Sequence, residues 1–419
     1  MKDRTLDLRA VEILQKNDRG LYTVPTSGLY PYQWNWDSAF AALGFAEFNL
    51  DRAWTEIDTL FNAQWDNGMV PHIIFHRRVD GYFPGPDVWG TNSVPASSGI
   101  TQPPVAASIV RHIYDHDPGI GRAHVERLLP KLVAWHRWFH DYRCEAGPCA
   151  VTHPWESGRD NAPDWDAAMA AIDTSGVGEY TRRDTAHVDA SMRPTKEDYD
   201  RYLAILYFGR DHEWDEAAIR DRGPFRVADP AMSFILMRAN RDLADMLERF
   251  GQDRAEVDGW IAELEAGVED LWNADLGAYD ARDLRTGDFA GSLSSGSFLS
   301  WYGGLRDDRM LDWYDKVAGA LPYGVPSYYP QGAKFNAKRY WRGPVWGIVN
   351  RLIAVGLADA GHADRAEQLR ERTAELIRKG GFHEYFDPED GSAAGGGTFT
   401  WTAAIWLAWA SSSSGRAAA

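Results

Sequence analysis

The chain has 419 residues, 44% hydrophobic and 25% charged, the balance of a globular protein with room for one large domain or two ordinary ones. A net charge of −17, from 44 basic against 61 acidic residues, disfavours nucleic acid or an anionic membrane as partner, because both need a positive surface. The 19 tryptophans, 18 tyrosines and 17 phenylalanines exceed what a core needs and suit a cleft that grips flat, polyhydroxylated rings.

Cys144 and Cys149 make no disulfide framework, and no second pair completes a zinc site; reduced thiols or one incidental loop bridge are expected. The opening stretch MKDRTLDLRAVEILQKNDRG is charged and lacks the apolar core of a secretory signal, and no long apolar run follows. A cytoplasmic protein is expected.

In chain order, Leu6–Gln15 reads as an amphipathic helix with Leu6, Ala10, Ile13 and Leu14 on one side. Pro25, Gly28 and Pro31 then break the chain, and Tyr30–Asp37 is an aromatic loop leading into a helix at Ser38–Phe48. Asn49 and Asp51 mark the start of the next helix, Asp51–Trp65. Asn67–Gln102 is long, irregular and rich in Gly, Pro, His and aromatics, which argues for a functional loop. Helices are predicted at Pro103–Asp115, Arg122–Tyr142, Lys196–Gly209, Asp229–Phe250, Ala255–Trp272, Leu293–Gly303, Met310–Leu321, Val345–Ala360, Ala363–Lys379 and Phe399–Ser411. GAYDARDLRTG (277–287) looks like a hairpin or turn, and GGFHEYFDPEDGSAAGGG (380–397) like a loop.

Roughly a dozen helices with hardly any strand signal predict an all-α protein. Six helical hairpins closed into an (α/α)6 toroid fit this layout, with the long loops gathered at one end as a cleft. Residues 1–411 then form a single catalytic domain and 412–419 a flexible tail. An open α-solenoid is the competing layout, but no constant repeat period is present.

Chemistry concentrates in THPWESGRDNAPDWD (152–166), a proline- and glycine-broken loop with four acids beside two tryptophans. Cleaving a glycosidic bond needs two carboxyl groups flanking it, one donating a proton and one acting at the anomeric carbon or on a water. Asp164 precedes a helix-like run and reads as an N-cap. Asp160 has no capping role and is the favoured acid, with Glu156 next. A partner carboxylate is expected from another long loop, and Glu384, set among Phe382, Tyr385 and Phe386, is the strongest candidate. The aromatic clusters YPYQWNWD (30–37) and YWRGPVW (340–346) look like a sugar pocket. No HExxH, phosphate loop or GxSxG is present, and His72 and His76 lack a third ligand, so no metal and no cofactor are expected.

Four motifs, YQWNWDSAF (32–40), WESGRDNAPDW (155–165), YWRGPVWGIVN (340–350) and FHEYFDPEDG (382–391), resemble in order those of glycoside hydrolase family 63, inverting α-glycosidases on an (α/α)6 barrel. The resemblance implies that Asp160 is the general acid and Glu384 the general base. The short length resembles the compact bacterial branch that hydrolyses mannosylglycerate and glucosylglycerate, small anionic glycosides. It implies glycerate contacts at Arg193, Tyr199, Tyr82 and Gln102, and a sugar subsite at Tyr32, Trp34, Trp36, Asp37, Trp155, Tyr340, Trp341 and Trp346. An arginine fits a carboxylate by its forked, permanent charge. The segments Asn67–Gln102 and Gly176–Arg193 are candidate lids. The reading from another class is a carbohydrate-binding toroid without catalysis.

Overall fold

In the computed structural model, residues 3–144, 147–182, 189–306 and 308–413 are described. The tail beyond Ser413 and residues 183–188 of the second candidate lid lie outside them.

The described helices of six or more residues are α1 (Asp3–Asn17), α2 (Asn35–Ala46), α3 (Leu50–Phe61), α4 (Ala106–His116), α5 (Pro118–Phe139), α6 (Lys196–Asp211) and α7 (Glu216–Arg222). They continue with α8 (Pro230–Arg249), α9 (Ala255–Gly267), α10 (Leu311–Ala320), α11 (Gly347–Asp359), α12 (Ala363–Gly380) and α13 (Thr400–Ile405). The ends follow local chemistry. Asn49 caps α3 by accepting from the Arg52 N–H, Asp229 caps α8 ahead of Pro230, and Thr195 with Asp198 forms a capping box on α6. The buried stripe of α1 is Leu6, Ala10, Ile13 and Leu14, as its spacing predicts.

The helices are arranged by packing. α2 packs against α4, α4 against α8, and α8 against a 3-10 turn at Ser295–Leu299; that turn packs against α11, α11 against α13, and α13 back against α2. A second layer leans on this ring: α3 on α2, α5 on α4, α9 on α8, α12 on α11 and α1 on α13. The ring is therefore closed by the two ends of the chain. Asn17 donates to the Thr398 carbonyl and to Thr400, and Arg378 pairs with Asp3.

Differences from expectation have local causes. α2 starts at Asn35 rather than Ser38, because the Gln102 side chain accepts from the Trp36 N–H and supplies a partner for one otherwise open donor. Leu293–Gly303 does not form an α-helix; its small residues Ser294, Ser295, Gly296 and Ser297 support only the 3-10 turn. α7, EAAIRDR, is absent from the predicted elements because it is too short for a periodic signal. The strands are two to five residues long: β1 (Gln33–Trp34) with β2 (Ile73–Ile74), β3 (Ala150–Val151) with β4 (Val227–Ala228), β5 (Trp272–Asn273) with β6 (Ala278–Tyr279), β7 (Arg282–Asp283) on β4, and β8 (His383–Phe386) with β9 (Ala393–Gly397). The last pair makes a hairpin of a stretch expected to be loop. Cys144 and Cys149 are both buried and unbridged.

Candidate active site

Glu384 sits in β8 where the register with β9 shifts between His383 and Tyr385. A bulge of this kind re-aims a side chain, and here it turns Glu384 into the cleft. The carboxylate is 1% exposed and held at both oxygens: Oε2 accepts from the Gly396 N–H at 3.0 Å, and Oε1 from the Tyr30 hydroxyl at 3.0 Å. Gly395 has φ +71°, and a Cβ there would lie 2.5 Å from Glu384 Oε2, so the sharp β9 backbone needs glycine twice over. Trp401 Nε1 donates to the Glu384 carbonyl at 3.2 Å and fixes the strand itself.

The acid-rich loop separates its four carboxylates by partner. Glu156 is fully buried, paired with Arg143 at 2.8 Å, and accepts from the Thr152 N–H at 2.7 Å. Asp164 is not an N-cap: it lies in a buried 3-10 turn, paired with Arg159 at 3.4 Å and accepting from Ser294 at 3.0 Å. Burial leaves it no other way to hold a charge than beside an arginine. Asp166 accepts a bidentate pair from Arg342 at 2.7 and 2.9 Å. Asp160 is the acid of this loop that lines the cleft, half-buried. Its backbone is anchored on both sides, since the Tyr202 hydroxyl donates to the Asp160 carbonyl at 2.9 Å and Asn161 accepts from the Trp341 N–H at 2.9 Å. Gly158, at φ +66°, lets the loop pass beneath the Trp36 indole, which a Cβ would strike at 2.6 Å.

Around these carboxylates, Trp34, Trp36, Asp37, Tyr82, Gln102, Trp155, Arg193, Tyr199 and Tyr340 line one cleft of about 860 Å3, counted out to its open mouth. Tyr32, Trp341 and Trp346 do not line it. Trp341 and Trp346 stack on each other, centroids 3.7 Å apart and 5° from parallel, and Trp346 Nε1 donates to the Tyr340 carbonyl. Tyr32 is fully buried against Phe75, and its hydroxyl accepts from the Val79 N–H. These three form the layer that supports the wall. They belong to the clusters that sequence assigned to sugar, but Trp346 has Trp341 on one face and Tyr385 stacked at 4.7 Å, and both indoles are buried.

Two electrostatic features stand out. Asp37, 5% exposed, has its carboxyl pushed well above the ordinary range, by burial first and then by the charges of Glu384 and Asp160. The protonated form is thereby favoured, and in that form the carboxyl can donate a hydrogen bond. Arg193, 4% exposed, lies 4.1 Å over the Tyr340 ring, with Nη1 3.6 Å from Glu384 Oε1 and Nη2 donating to the Tyr30 hydroxyl at 2.8 Å. Arg193 thus stands beside Glu384, its guanidinium shared between the glutamate and the Tyr30 hydroxyl.

Tyr30 is the residue sequence reasoning passes over. It heads the YPYQWNWD cluster, and its hydroxyl joins Arg193 to Glu384. Burial pushes that hydroxyl well above its usual range, so it stays protonated and able to donate. Trp401 and Phe399, from the closing segment, also line the cleft. His72 and His76 bond to Ser98 and Gln33 rather than to a common ligand.

Residues 30–402 match the family described as mannosylglycerate hydrolase MGH1-like glycoside hydrolase domain. The mannosylglycerate hydrolase MGH1 of Selaginella moellendorffii is 44% identical, over 97% of this chain and 86% of its own length. The glucosylglycerate hydrolase of Mycolicibacterium hassiacum is 36% identical, over 96% of this chain and 97% of its own. Among solved structures, the family 63 mannosylglycerate hydrolase of Thermus thermophilus in complex with Tris and D-glycerate superposes with a TM-score of 0.93 at 44% identity, covering 96% of this chain and 99% of that one. The protein is a glycoside hydrolase, and the chain belongs to family 63 in its MGH1-like branch.

Proposed function

We propose that the protein hydrolyses 2-O-(α-D-mannosyl)-D-glycerate to mannose and D-glycerate with inversion, and accepts α-glucosylglycerate as a second substrate. One observation carries the reading: Asp160 on its loop and Glu384 on β8, 224 positions apart, line the same cleft. Asp160 gives its proton to the glycosidic oxygen as the C1–O bond breaks. Glu384 takes a proton from a water that attacks C1 from the opposite face. The glycerate leaves as an alcohol, and both carboxyls are reset by exchange with solvent. The firm hold of Tyr30 and Gly396 on Glu384 favours a base that stays in place while the water moves.

Arg193 faces the glycerate carboxylate, and Tyr82, Tyr199 and Gln102, which line the same cleft, complete its contacts. Asp37 hydrogen-bonds to a sugar hydroxyl, and Trp34, Trp36, Trp155 and Tyr340 supply ring surface. The scaffold is a single (α/α)6 domain of six hairpins, one inner member reduced to the Ser295–Leu299 turn. The lid regions already touch, Phe83 stacking on Tyr180 at 5.3 Å and Tyr180 on Tyr199 at 5.7 Å, which supports closure over a small substrate.

The test is incubation with each glycosylglycerate, reading released sugar by chromatography and its first anomer by NMR. Release of β-mannose, abolished in Asp160→Asn while ligand binding persists, is expected. Near-normal turnover in that variant, or release of the α-anomer, overturns the assignment. Arg193→Gln separates two roles. Loss of carboxylate recognition raises KM for the glycosylglycerate and spares a neutral methyl mannoside. A role confined to Glu384 lowers kcat for both.

A further inference from the structure

The far ends of α2 and α4 carry a cluster that the glycosidase reading does not use. Glu47 is the C-cap residue of α2, and His112 and His116 occupy the last two turns of α4 on one face. His116 Nε2 lies 3.2 Å from His112 Nε2 and 3.4 Å from Glu47 Oε1, and His112 Nε2 lies 3.7 Å from the same oxygen. Three donor atoms thus face one point, each side chain partly buried. No sequence motif marks the cluster, because the histidine pair finds its third member 65 positions earlier, on another helix.

We propose that Glu47, His112 and His116 bind a single Zn2+ ion or an ion of similar chemistry, completed by water, which clamps the ends of α2 and α4. A tetrahedral centre with bonds of about 2.0–2.1 Å holds its donor atoms roughly 3.3–3.4 Å apart, so the observed triangle needs only a few tenths of an ångström of adjustment. Two imidazoles and one carboxylate suit zinc; calcium and magnesium need oxygen ligands. The site also explains an odd placement. A glutamate at a helix C-terminus opposes the helix dipole, and here the C-termini of two helices and that glutamate converge. A cation between them satisfies all three. The field of Arg351 acts on both His112 and Glu47 and works against the ion. The converging helix ends and the −17 net charge act the other way. Because α2 carries Trp36 and Asp37 of the cleft in its first turn while Glu47 caps its other end, about 15 Å along the axis, the ion is structural rather than catalytic.

The experiment uses the full chain, stripped with a chelator and titrated with Co2+ as a spectroscopic probe, then with Zn2+. Expected are one equivalent of Co2+ with the intense visible bands of a tetrahedral centre, their loss on adding Zn2+, and a rise in Tm of about 3 °C at Zn2+ a hundredfold above its Kd. The Glu47→Gln/His116→Gln double variant should show none of these while keeping the wild-type turnover at 25 °C. His112→Ala, at the most exposed of the three, serves as a second variant should the double one fold poorly. Equal Co2+ binding by wild type and variants, or an unmoved Tm in the wild type, overturns the proposal.

Discussion

The hydroxyl of Tyr30 donates to Glu384 Oε1 at 3.0 Å across 354 positions of sequence, and accepts from Arg193 at the same time. One oxygen therefore aligns a carboxylate and a guanidinium, drawing on a loop before α2, a hairpin after α12 and the segment before α6. Tyr30→Phe keeps the ring and removes the link. Its expected result is a 10- to 100-fold loss of kcat, on the order of one hydrogen bond to a charged group, with Tm nearly unchanged. Steady-state kinetics beside thermal unfolding checks it.

Asp37 predicts a pH dependence. Its folded-state proton affinity is raised above the ordinary carboxyl value of 3.8, so from about pH 4 upward the unfolded chain loses this proton before the native one does. Stability from this residue therefore falls as pH rises above that value. Asp37→Asn, a neutral mimic, removes the effect. The Tm difference, variant minus wild type, should grow between pH 4 and pH 7. A difference that is flat or shrinks with pH contradicts the raised proton affinity.

Gly395→Ala tests the shape of the glutamate's seat. The added methyl meets Glu384 Oε2 at 2.5 Å and sits on a left-handed backbone, costing about 1–2 kcal/mol for the backbone alone. Turnover should fall by more than a hundredfold, because the carboxylate must swing away from its water. Denaturant unfolding together with kcat separates the two effects.

Arg143 bridges two buried carboxylates, Glu156 at 2.8 Å and Glu216 at 2.7 Å, beneath the acid-bearing loop. Arg143→Met leaves both without a counter-charge and should destabilise by about 3–5 kcal/mol, read as a lower denaturation midpoint. Replacing all three residues by apolar ones of similar volume should recover much of that loss.

Sequence carries the long helices well, because α1, α8 and α12 show their buried stripes plainly. The strands are invisible to it, since a pair such as Gln33–Trp34 with Ile73–Ile74 is too short for an alternating pattern. In the site, the residues of the four motifs can be named, but which rings face a ligand cannot. Trp36 and Trp341 look alike in sequence, yet one lines the cleft and the other stacks behind it on Trp346. Tyr30 and Tyr32 are likewise indistinguishable, two residues apart in one aromatic run. Asp164 reads as a cap in sequence because its partner, Arg159, lies five positions earlier in the same irregular loop and leaves no periodic trace.

The closure of the ring by α13 against α2 has a temporal meaning. Tyr30 leaves the ribosome 354 positions before Glu384, with Trp36 close behind it and Trp401 after Glu384. Until α13 has been made, the ring is an open arc in which α2 lacks its neighbour on that side. Assembly of the cleft therefore cannot finish before residue 401 has emerged.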